Sequence, residues 1–94
     1  GIALSKTHSY VADSRNHRIQ VFRTSNGSLV RQFGGAGAGE GQLNTPMGLA
    51  IDATSDLLFV ADSKNHRVQV FRASDGACQR HIRIGSEGPP GEFN

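Results

Sequence analysis

VADSRNHRIQVF occupies residues 11–22, and VADSKNHRVQVF occupies residues 60–71. Ten of the twelve positions are identical at an offset of 49, and the exchanges Arg15/Lys64 and Ile19/Val68 keep charge and shape. The repetition runs outward in both directions. FRTSNGS (22–28) pairs with FRASDGA (71–77), GIALS (1–5) with GLAID (48–52), and GQLN (41–44) with GEFN (91–94). The chain is therefore two copies of one unit, divided as residues 1–46 and 47–94. A repeated unit of this size buries its apolar surface against its neighbour rather than within itself.

Each unit reads as four short strands, here A to D. In the second copy they are GLAID (48–52), LLFVAD (57–62), RVQVFRA (67–73) and ACQRHIRI (77–84). In the first they are IAL, SYVAD, RIQVFRT and SLVRQF. β-Branched and aromatic residues dominate B and C, and no apolar set recurs at helical spacing. Asn26-Gly27 and Asp75-Gly76 separate C from D. Such pairs suit a tight turn with positive φ at both central residues. Asp13-Ser14-Arg15-Asn16 and Asp62-Ser63-Lys64-Asn65 separate B from C. There the Asp carboxylate is expected to accept turn N–H groups and the Asn to take the left-handed conformation, so Asp62→Ala should cost about 1 kcal/mol. Gly34–Thr45 reads as a flexible link from D to the next A strand.

Composition narrows the class. The 94 residues include 22 Leu, Ile, Val and Phe, and net charge is only +2, so a disordered chain is not expected. No apolar run approaches the roughly 20 residues of a membrane span, and no signal peptide is visible at the N-terminus. Cys78 is the only cysteine, which excludes an internal disulfide and a multi-cysteine zinc site. These features lead to the expectation of a cytoplasmic protein with no membrane contact.

Four antiparallel strands repeating at just under 50 residues make a β-propeller blade. NHRIQVF (16–22) and NHRVQVF (65–71), each preceded by VADS, resemble the NHL repeat, as does Pro46-x-Gly48-Leu49-Ala50-x-Asp52. The paired glycines of Kelch repeats and the Trp-Asp of WD repeats are missing. The first copy departs from the pattern: Ser5 stands where Asp52 does, and its A–B turn is two residues shorter, so distortion is expected there. The resemblance implies an all-β fold of two four-stranded blades that belong to a six-bladed ring. Two blades leave two apolar sheet faces bare, which soluble monomers seldom tolerate. Completion is expected within a longer chain or by self-association, as a homotrimer giving six blades.

The resemblance also implies function. Some NHL domains bind proteins on one rim and others bind single-stranded RNA. The rim candidates are the B–C loop residues Arg15, His17, Arg18, Lys64, His66 and Arg67. Asp13, Asn16, Asp62 and Asn65 are expected to be structural turn residues. Arg and Lys suit phosphate, but the loops carry no aromatic stacking group, so a protein partner ranks ahead of RNA. His17 and His66 recur, and each is expected to bond a turn carbonyl. Cys78 and His81, three apart on a strand, are expected on opposite faces and hence not to chelate. Gly34–Gly41 fits no phosphate-loop spacing.

No catalytic residue, metal site or cofactor is expected. Six-bladed lyases and lactonases distantly resemble this family and hold a metal in the central channel, but here strand A offers only Asp52. The expectation is a non-catalytic scaffold that binds proteins, with an RNA-binding rim second and a propeller enzyme last.

Overall fold

Alternation in RIQVF and RVQVF gives each strand two chemically distinct faces, and both faces find uses. The computed structural model describes residues 1–83 and is all β, with two four-stranded antiparallel sheets. Sheet one runs β1 (Ile2–Leu4), β2 (His8–Asp13), β3 (Arg18–Arg23) and β4 (Leu29–Gly34), each beside the next. Sheet two repeats that order as β5 (Pro46–Asp52), β6 (Leu57–Asp62), β7 (Arg67–Arg72) and β8 (Cys78–Arg83). The expected end of strand D at Ile84 and the second inter-blade link, 85–94, lie outside the described residues.

The sheets pack face to face. Tyr10, Ile19 and Val21 of sheet one meet Leu58, Val60 and Phe71 of sheet two, with Leu43 from the linker completing the core. The Phe33 and Phe71 rings stand 5.0 Å apart at 44°. Burying one such side chain contributes about 1.5–3 kcal/mol, so this shared interface supplies what neither thin sheet has alone.

The repeat is used in opposite phase. Ile19 and Val21 face sheet two, whereas Gln69 and Phe71, the repeats of Gln20 and Phe22, face sheet one. The outer face of sheet one (Ile2, Leu4, Val11, Phe22, Leu29) is thus the counterpart of sheet two's inner face. Sheet two's outer face, lined by Ala50, Phe59, Ala61 and Val68, is the counterpart of sheet one's inner face.

Three local expectations need correction. The C–D connections are five-residue loops, 24–28 and 73–77, in which only the glycines have positive φ, 73° at Gly27 and 78° at Gly76. Asn26 and Asp75 instead accept the N–H of Ser28 and Ala77, each at 3.0 Å, which favours the longer loop over a two-residue turn. Just beyond each loop the register slips, at Val21/Phe22 and at Val70/Phe71. That bulge puts Cys78 opposite Phe71 and His81 opposite Gln69, so the two share a face despite their odd spacing. The short first A–B turn closes without disorder of its bonds. The Ser5 hydroxyl accepts the N–H of His8 and Thr7 at 3.1 and 3.4 Å, replacing the Asp52 carboxylate that accepts from Ser55.

Candidate functional site

The B–C loops are single 3-10 turns, Ser14–Asn16 and Ser63–Asn65. The left-handed residue after each is the histidine, with φ 55° at His17 and 54° at His66, not the asparagine expected from the sequence. Neither aspartate caps its own turn. The asparagine is needed elsewhere: in both copies its amide donates back to the aspartate, at 3.0 Å.

Asp62 is the hub of a buried polar set. Its carboxylate accepts from Arg67 Nε at 2.8 Å, Asn65 Nδ2 at 3.0 Å and Gln69 Nε2 at 3.3 Å, while its other oxygen accepts the Asn44 N–H at 2.7 Å. Those donors grip the Gly-rich linker as well. Arg67 Nη2 donates to the carbonyls of Gly39 and Gln42, both at 2.8 Å, and Asn65 Nδ2 to that of Gly37 at 2.8 Å. Gln69 donates to Gln42 O at 2.6 Å and accepts the Gly41 N–H at 3.0 Å. The linker expected to be flexible is therefore bonded along its length, and Arg67 is buried within the molecule rather than displayed on a rim.

The other B–C loop holds the far end of the same linker. His17 Nδ1 accepts the Thr45 N–H at 3.0 Å, so the imidazole is an acceptor toward the backbone, not a donor to a turn carbonyl. Ser14 Oγ donates to Pro46 O at 2.5 Å. The His66 ring makes no hydrogen bond among the described residues. Of the rim cations, Arg15 and Lys64 stay exposed, and Arg18 is half-buried with Nε 2.9 Å from Asp13. Asn16 and Arg18 hold the Asp13 carboxyl below its usual range, the Asn16 hydrogen bond contributing most.

A concavity of about 400 Å³ lies at the opposite rim, between the sheets. Lys6, His8 and Arg31 line one side, and Ile51, Asp56 and Ala73 the other. Arg31 Nη1 donates to Ala73 O at 3.1 Å, and Ser74 Oγ to Asp56 at 2.6 Å. Sequence reasoning missed this cleft and the linker grip alike. The grip had a signal: Gln20 and Gln69 repeat at a strand position where an apolar residue would serve burial better. The cleft had none, because it forms only where the first copy packs on the second, bringing together residues far apart in sequence.

Asp52, the sole channel candidate for a metal, is exposed, and hydrogen bonds from Ser55 lower its carboxyl pKa. Among the described residues no group of three or more His, Cys, Asp or Glu side chains is placed to hold a metal ion.

The NHL repeat family model matches residues 1–22 and 43–71, more than half of the chain. The chain belongs to the NHL-repeat family. An NHL-repeat relative, the RING finger protein nhl-1 of Caenorhabditis elegans, is 54% identical over 48 residues, 51% of this chain and 5% of the relative. The chain thus spans a small fraction of that relative's length. A solved structure from Bacteroides fragilis superposes with a TM-score of 0.76 over 93% of this chain and 25% of its own, at 22% identity, a likeness of fold.

Proposed function

We propose that this NHL chain is a non-catalytic protein-interaction module. Its two blades, residues 1–46 and 47–94, work within a closed six-bladed ring, and we favour a ring made with two further copies. The opposite-phase use of the repeat supports the ring. The two outer faces are counterparts of the two faces already joined, so head-to-tail stacking repeats an interface the chain has solved once.

The observation that carries the protein-binding reading is the distribution of B–C loop side chains. Asn65 and Arg67 donate to the linker and His17 accepts from it, which leaves few groups to meet a polyanion. The mixed cleft at the other rim, with an apolar floor between Arg31 and Asp56, suits peptide side chains of either polarity. RNA is the second reading, favoured by Arg15 and Lys64, which are exposed in register from blade to blade.

Fluorescence anisotropy separates the two. A labelled single-stranded oligouridine is expected to show no saturable, salt-sensitive binding. Peptides selected on the folded chain are expected to lose binding in Arg31→Ala and Ile51→Asp. Tight oligouridine binding that Arg15→Glu and Lys64→Glu abolish would reverse the ranking.

A further inference from the structure

We infer that Asp13, Asn16, Arg18 and Gln20 form a docking cradle for the Gly91-Glu92-Phe93-Asn94 segment of a second copy of this chain. The inference rests on the ring assembly proposed above and names the contact that joins one copy to the next.

The template is inside the molecule. The repeats of these four residues, Asp62, Asn65, Arg67 and Gln69, grip the linker that ends in Gly41-Gln42-Leu43-Asn44. Asp62 takes the Asn44 N–H, Arg67 and Gln69 take the Gln42 carbonyl, and Gln69 takes the Gly41 N–H. Leu43 between them is fully buried. Every one of these bonds to the linker meets a backbone atom. A segment is therefore recognised by its conformation and its one apolar side chain, not by its polar side chains.

The cradle is already assembled in sheet one. Asn16 and Arg18 bond Asp13 at 3.0 and 2.9 Å, matching the inner ties at Asp62. Its side chains are nonetheless far more accessible: 36% for Arg18 and 23% for Asp13, against 8% for Arg67 and 0% for Asp62. Gln20 lies on the outer face of sheet one, in register with Ile2 and Val11, turned away from sheet two. Sheet two of the same chain cannot reach that side. A second chain approaching the outer face can.

The occupant is written in the sequence. Gly91-Glu92-Phe93-Asn94 repeats Gly41-Gln42-Leu43-Asn44. Glycine is kept where Gly41 has φ 78°, a conformation that side chains resist. An apolar residue is kept where Leu43 fills the core, and asparagine where the N–H meets the carboxylate. The exchange of Gln42 for Glu92 leaves the backbone carbonyl in place.

Light scattering on the full chain and two variants tests the contact. Wild type is expected at about 30 kDa, three chains of 10.0 kDa in a closed ring. Phe93→Asp spoils the segment and Arg18→Glu the cradle, and each alone should fall to the single-chain mass with its β-sheet circular dichroism intact. Mixed in equal amounts they should recover a pair of about 20 kDa, because one sound segment then meets one sound cradle. Should Arg18→Glu unfold, Gln20→Ala serves as the cradle variant. Variants that keep the wild-type mass overturn the cradle but leave the assembly standing. A folded wild-type chain at the single-chain mass overturns both.

Discussion

The two B–C loops differ only in Arg15 against Lys64, yet sit in different surroundings. Around Asp62 the aspartate, arginine and glutamine are buried, the asparagine is half-buried, and all four are bonded to a linker. Around Asp13, among the described residues, the same side chains bond only to one another and to Gln32. One amino-acid pattern thus yields a buried ion pair in one blade and a partly solvated one in the other. What differs is the segment lying across it. The role of such a motif belongs to the motif and its covering segment together.

Removing the aspartate gives the largest contrast. Asp62→Ala strands the buried Arg67 charge and should cost about 3–5 kcal/mol in chemical denaturation, well above the turn-bond figure suggested by sequence. Asp13→Ala should shift the denaturation midpoint far less in dilute solution, where its partner stays solvated. Equal losses would erase the distinction between the blades. A gap that narrows as protein concentration rises would sharpen it, since the proposed assembly would cover Asp13.

The linker offers the next test. Leu43 belongs to no strand yet has no exposed surface, so Leu43→Ala should destabilise by about 2–5 kcal/mol through cavity formation. Leu4, in strand β1, is exposed, and Leu4→Ala should shift stability by about 0.5 kcal/mol at most in dilute solution. The comparison fails if the strand residue matters more than the linker residue.

The C–D glycines are a finer probe. A Cβ at Gly27 meets nothing within 4 Å, whereas one at Gly76 comes within 2.6 Å of the Phe33 ring. Gly27→Ala should cost about 1 kcal/mol from backbone strain alone. Gly76→Ala adds a clash with the other blade and should cost about 2–3 kcal/mol. Matching thermal shifts would mean that Phe33 gives way freely.

The smallest effect is that of pH. Hydrogen bonds from Asn16 and Arg18 lower the Asp13 pKa in the folded chain. Its contribution is present above the ordinary aspartate range and is lost as pH falls through the lowered folded value. Asp13→Asn should flatten that acid limb of the denaturation midpoint. An unchanged acid limb would show that Asp13 is not held by its neighbours.

Much of the fold was legible because strands and turns are local. Every strand bound expected within the described residues is met to within two residues, and all eight strands pair in the expected order, since alternation and Gly-bearing loops act over neighbours in sequence. The pairing of Cys78 and His81 on one face was not, because a bulge is an extra residue that alternation cannot register. His17 is another such case. Its partner, the Thr45 N–H, lies 28 residues away, and only packing brings the two together.

By itself, the sequence determined that the chain is two copies of a four-stranded unit, and that neither copy buries its faces alone. The reason is that repetition, alternation and turn chemistry are readable residue by residue. Only the tertiary structure decided which face of each copy turns inward, and therefore that Arg67 is buried while Arg18 is half-exposed. Identical residues carry no mark of which neighbour they will meet. The difference arises when the linker from blade one lies across blade two, supplying carbonyls to Arg67 and an N–H to Asp62.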